Sequence, residues 1–215
     1  MSTAGTPSTA DETRVTRLHI ARHPETEANV TRRFVGTGDT PYTALGRRQA
    51  EALTDALAAF MPDVVLSSPR RRCADVAWQV AERLGVGVLL IDEFAELDFG
   101  QAEGLTYAEA SRLGVEMDLL GGPVEDAAFT GGERWSDFQT RVARGWEQAL
   151  AAGERVAIVT HSGVVRSIMT IALGLPAEAA WRFAVAPASS ALLTVGADYS
   201  ILEGFGLPPE ACGKP

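Results

Sequence analysis

The chain predicts an α/β fold of three layers, with helices on both sides of a mostly parallel central sheet, and two observations carry that expectation. From Val15 onward, short apolar runs alternate with amphipathic segments of helical period, the pattern of strands joined and covered by crossover helices. The residues best able to do chemistry stand just past the ends of those runs, where open α/β sheets bind ligands.

The first run, VTRLHIAR, ends at Arg22. After a loop rich in Gly and Thr, Thr43 reads as the N-cap of a helix with Leu45, Ala52, Leu53, Ala56, Leu57 and Phe60 at helical spacing. DVVLS (63–67) is a second buried strand; Ser68 then reads as a cap and Pro69 as the first residue of a helix carrying Cys73, Ala77, Val80, Ala81 and Leu84 on one face. VGVLLI supplies a third strand. The segment from Asp92 to Gly132, acidic and punctuated by Gly, reads as an insertion over one end of the sheet, with a short helix near Thr106 to Leu113. A helix over Ser136 to Ala152 follows, then the strand RVAIVT, a helix opening at Ser162 and Gly163, and two strands at a sheet edge within SSALLTVGADYSILEGFG.

At 215 residues and 46% hydrophobic content, one core and one domain are expected. We place that domain at 15–207, between a disordered arm over 1–14 and a tail over 208–215. The net charge of -9 opposes nucleic acid and anionic membranes, so an anion site has to be built locally from Arg or helix N-termini. Cys73 and Cys212 have neither the spacing of a zinc site nor that of a disulfide framework. MSTAGTPSTADET lacks the basic and apolar regions of a secretory signal, and no run reaches the roughly 20 apolar residues of a membrane span. A cytoplasmic protein is expected.

The strand ends present Arg22 and His23, then Arg70 to Arg72, then the carboxylates of 92–98, then His161. His19 lies inside the first strand and reads as structural. Three arginines at a helix start oppose the helix dipole unless something negative compensates them. The simplest compensation is a bound anion shared by Arg22 and Arg70, with backbone N–H groups from the helix at Ser162. Around a phosphate, a neutral imidazole can attack phosphorus while positive charge stabilises the transition state. The departing alkoxide then needs a proton, and Glu96 stands on the loop where such an acid belongs.

These residues also form ordered blocks. LHIARHPETEANVTRRFVG resembles the signature of the histidine phosphatase superfamily, an apolar strand followed by R-H-G, a polar residue, T and a later Asn. DTPYTALGRRQA, SSPRRRCADVA, ELDFGQAEGLTYAE and VTHSGVVRSI resemble the family's further segments in the same order, over roughly Val15 to Leu173. The resemblance implies a phosphoglycerate mutase-like fold and a phosphomonoesterase that needs neither metal nor cofactor and acts on a small phosphorylated substrate. It implies His23 as the nucleophile that becomes phosphohistidine, Glu96 as the proton donor, and a phosphate pocket of Arg22, His161, Asn29 and an arginine of the second block; Ser162 is added as a phosphate-binding candidate from its own place at the helix start. For that arginine we choose Arg70, nearest the strand end, with Arg72 as the alternative. Gly36 and Thr37 are carried as substrate-binding candidates, and Glu103 as a structural hydrogen-bond partner.

Three departures from the family pattern bear on the site. Pro24 stands where Gly is usual, which removes an N–H and restricts His23 to extended backbone. Ala102 replaces a common aromatic residue, so a smaller pocket wall is expected. Ser162 follows His161 where Gly is frequent. Two other functions stay open: a mutase returning the phosphoryl group to bound substrate, disfavoured by the phosphatase-like segment TGGERWSDFQTRV, and a phospho-ligand binding protein that Pro24 has robbed of turnover.

Overall fold

The computed structural model describes residues 14–115 and 127–212. All but the last residue of the expected N-terminal arm, residues 116–126 of the insertion and the last three residues of the tail lie outside that set. Among the described residues, six strands form one sheet: β1 (Thr16–Arg22), β2 (Val64–Ser67), β3 (Gly87–Leu90), β4 (Arg155–Thr160), β5 (Ser190–Val195) and β6 (Ser200–Leu207), in the order β3-β2-β4-β1-β5-β6. β3, β2, β4 and β1 run parallel; β5 pairs antiparallel with β1, and β6 antiparallel with β5.

Strand periodicity sorts the core into two faces. Leu18 and Ile20 of β1 and Val156 and Ile158 of β4 point into a large cluster with α5 (Trp135–Ala152) and α6 (Ser162–Ala172). Ala21, Ala157 and Val159 point to the opposite face, against α2 (Ala44–Ala59) and α3 (Arg71–Leu84). Thr43 caps α2 by accepting from Gly46 N at 2.9 Å, and Gly85 ends α3 in the left-handed conformation, φ 68°, which glycine adopts at no steric cost.

Two local differences from expectation have physical causes. α3 begins at Arg71, with Arg70 as its cap, rather than at Pro69; Ser67 to Pro69 stay outside the helix, and the Ser68 hydroxyl is committed to His161 at 2.7 Å. A short helix α1 (Glu27–Thr31) stands inside the segment read as loop; with five residues it is too short to show helical periodicity. In the insertion, the helix expected near Thr106 to Leu113 is α4 (Tyr107–Leu113), with Thr106 as its cap. No helix among the described residues is long and apolar enough to cross a membrane.

The topology positions the site. β4 and β1 are neighbours with Arg22 level with Thr160, and Ser67 of β2 lies level with Val159. α2, the first long helix after β1, lies on one face and α6, which follows β4, on the other. The chain therefore parts between their carboxyl ends and leaves a crevice.

Candidate active site

His23 is held at that crevice as a one-residue extension of β1. Its N–H donates to Thr160 O at 2.8 Å and its carbonyl accepts from Ala188 N at 3.0 Å. Its ring Nδ1 lies 2.7 Å from Pro24 O. A carbonyl can only accept, so Nδ1 carries the proton and Nε2 keeps its lone pair. Pro24 thus supplies the carbonyl that sets the tautomer, and the N–H it lacks is not needed for this. Neither His23 nor Pro24 has positive φ, so the replacement of Gly brings no backbone strain. Burial, reinforced by the nearby Arg22 and Arg72 guanidinium groups, holds the His23 pKa well below the usual imidazole value. The ring is neutral at pH 7, as a nucleophile requires.

His161 caps α6 and packs edge-on against His23, ring centroids 5.4 Å apart. It is fully buried and stands behind the cleft wall. Nε2 is 2.7 Å from Ser68 Oγ, and Cys73 Sγ lies 3.6 Å from the same nitrogen. Burial first, then Arg72, push its pKa well below 6.5. Arg22 donates through Nη1 to Val185 O at 2.7 Å, while its Nε is buried with no partner among the described residues. That is a donor aimed at nothing the protein supplies.

The arginine run resolves differently from expectation. Arg72, the second residue of α3, lines the cleft with Arg22 and His23, and Arg70 does not. The α3 N-terminus is compensated by Asp39, which accepts from Arg71 N at 3.0 Å, Arg72 N at 3.4 Å and Arg72 Nη1 at 3.1 Å. A carboxylate at a helix start satisfies both free N–H groups and the dipole, so no bound anion is needed there. The helix places a side chain two residues beyond its cap toward the crevice, while Arg70, whose buried Nε also lacks a partner among the described residues, lies outside the cleft lining. Arg72 also donates to Gly38 O at 2.5 Å and Val35 O at 3.0 Å, tying the 35–39 loop to the cleft.

Glu96 faces the start of α6. Oε2 accepts from Ser162 Oγ and Gly163 N, both at 3.3 Å, and Oε1 from Leu97 N at 3.1 Å. A Cβ on Gly163 would collide with Oε1, so glycine there leaves the carboxylate its place. Arg141 of α5 grips the loop from behind, donating to the carbonyls of Glu93 and Ala95 at 2.8 Å and Glu96 at 3.0 Å. Asn29 lines the cleft and accepts through Oδ1 from Thr26 N and Thr26 Oγ1, which leaves its Nδ2 donors for a ligand.

Two expectations fall outside the cleft. The amides of Gly36 and Thr37 donate to Glu103 Oε1 at 2.8 and 2.9 Å and neither residue lines the cavity; they hold a loop, as does Glu103. Ala102 is fully buried in the core and borders no cleft wall.

The cleft encloses about 830 Å³. Reading strand ends leaves out Arg166, which lines it from α6. The signal was present, since Arg166 follows Ser162 by four residues and shares its helix face. Trp181 and the phenyl groups of Phe34, Phe99 and Phe129 also line it and carry no comparable signal, because the phenylalanines come from irregular chain and Trp181 from a short 3-10 helix.

A family model for the histidine phosphatase superfamily (branch 1) matches residues 18–206. The chain belongs to the histidine phosphatase superfamily. Its curated relatives include a bifunctional protein of Mycobacterium tuberculosis, 32% identical over 85% of this chain and 51% of that protein; the chain therefore spans about half the length of that relative. It is 31% identical to the glucosyl-3-phosphoglycerate phosphatase of Mycolicibacterium vanbaalenii, over 77% of each chain. Among solved structures, the alpha-ribazole phosphatase of Shigella flexneri superposes with a TM-score of 0.81 at 28% identity, covering 90% of this chain and 97% of that one.

The burial of imidazoles in this superfamily member sets an acid limit on its stability. His19 is fully buried, 2.8 Å from Ser190 Oγ, and burial lowers its pKa to about 4; those of His23 and His161 are lowered as well. Unfolded, all three titrate near 6.5 and bind protons the folded state refuses, so stability is full above that pH and is lost as pH falls toward the folded values. The slope is at most about 1.4 kcal/mol per pH unit for each histidine. Thermal unfolding between pH 7.5 and 4.5 is expected to show a falling Tm, with inorganic phosphate reducing the fall by favouring charged imidazoles beside it. A flat Tm would mean that the imidazoles take up protons in the folded state as readily as in the unfolded one.

Proposed function

We propose that the protein is a phosphomonoesterase that hydrolyses a small phosphorylated metabolite through a phosphohistidine formed on His23. The observation that carries this reading is the His23 Nδ1–Pro24 O hydrogen bond, which leaves a neutral Nε2 lone pair at a cleft lined by Arg22 and Arg72. Nε2 attacks phosphorus, the P–N bond forms as the P–O ester bond breaks, and the arginines with the Asn29 amide stabilise the charge on the equatorial oxygens. Glu96, across the cleft at the start of α6, donates its proton to the departing alkoxide. In the second step the same carboxylate takes a proton from water, whose oxygen displaces Nε2 to release inorganic phosphate.

His161 is neutral in the free protein, and an incoming phosphate dianion favours its protonated form. Ser162 holds Glu96 from the helix start. The phosphatase names of the relatives support hydrolysis over transfer back to substrate. Steady-state release of p-nitrophenol from p-nitrophenyl phosphate tests the reading. Tight phosphate binding without turnover would leave only a binding protein.

The two candidate arginines are separable by substitution. Arg72→Ala is expected to lower kcat/KM about 10²–10³-fold, the loss typical of a transition-state donor, and Arg70→Ala less than about tenfold. The reverse order, measured with the same substrate, returns the phosphate role to Arg70.

A further inference from the structure

The cleft has one end that suits a phosphate and another that does not suit a second anion. Phe34, Phe99 and Phe129 line it from three separate loops and pack on one another with ring centroids 4.9 to 5.1 Å apart. Tyr107, 65% exposed, and Trp181, 41% exposed, line it as well. Large aromatic side chains left in contact with water inside a concavity mark a surface that a ligand covers.

Charge balance points the same way. Arg33 at this end is already paired with Glu109 at 2.9 Å and donates to Gly104 O at 2.7 Å. Arg166 donates to Phe183 O at 3.0 Å, its guanidinium 5.7 Å from the Trp181 ring centroid. Arg33, the cation at the aromatic end, is thus matched by a protein carboxylate, whereas Arg22 keeps an unpartnered buried Nε beside His23.

We infer that the phosphomonoester this cleft selects carries an uncharged alcohol with a flat apolar or aromatic ring, seated against Phe34, Phe99, Phe129 and Tyr107, in preference to small acyclic or multiply anionic phosphates. The kinetic part rests on the phosphatase reading; the binding part does not.

The first measurement is calorimetric titration of the full chain with benzylphosphonate and with methylphosphonate, which differ by the ring alone. Burying one phenyl group is expected to tighten binding about tenfold or more, and Tyr107→Ala to narrow that gap. Equal affinities for the two phosphonates overturn the inference. The second compares kcat/KM for 2-phenylethyl phosphate and ethyl phosphate, both alkyl esters, with acetyl phosphate as a ring-free activated substrate. A preference of about tenfold for the phenylethyl ester is expected. Hydrolysis of acetyl phosphate with no such preference overturns the inference and leaves the phosphatase reading standing. A ring preference in binding with no hydrolysis of any ester does the reverse.

Discussion

His23→Ala is expected to lose at least about 10⁴-fold in kcat, the scale on which removal of a covalent nucleophile acts, and to lose all phosphoryl label trapped on the protein by rapid quench. The group removed is the one whose Nε2 faces the cleft while Nδ1 is held by Pro24 O. His19→Ala is the control, because His19 is buried between Ser190 and Phe60, four residues before His23 in the strand, and does not line the cleft. It should cost stability and retain the trapped label. Equal turnover in wild type and His23→Ala would place the nucleophile elsewhere.

Glu96→Gln is expected to slow hydrolysis of alkyl esters about 10²–10⁴-fold, the usual contribution of a positioned general acid. Esters of acidic phenols should lose far less in the phosphorylation step, since a good leaving group departs without a proton. The amide retains the acceptor geometry toward Ser162 and Gly163, so the site stays assembled. Substrates that all slow by one factor, with single-turnover burst measurements isolating the first step, would assign Glu96 to positioning instead.

Much of this arrangement was legible before any coordinate. The 2.0 and 3.6 periodicities place β1, β4, α2 and α5 to within a residue or two, because each buries one face against a continuous core. Strand ends likewise bring His23, Glu96 and Ser162 to one crevice, since parallel strands deliver their carboxyl ends to the same edge of the sheet. What adjacency in sequence does not resolve is side-chain direction. Arg70 is the extended cap residue and Arg72 the second residue of the helix, so their side chains leave the backbone in different directions, and only the second lines the cleft. Asp39 was also illegible as the counter-charge, being 32 residues from the amide it accepts from. The aromatic wall is built from loops without a period, so no pattern in the chain announces it.

The bond from His23 to Pro24 reaches only to the next residue along the chain, and the backbone of His23 is pinned on both sides within the sheet. The orientation of the proposed nucleophile therefore rests on hydrogen bonds that none of the loops carrying Phe34, Phe99 and Phe129 supplies. Grafting those loops from one superfamily member to another should exchange the alcohol accepted while leaving the reacting imidazole undisturbed. The loops that carry Phe34 and Phe99 also hold Arg72, through Val35 O and Gly38 O, and Glu96, so such grafts have to keep those contacts.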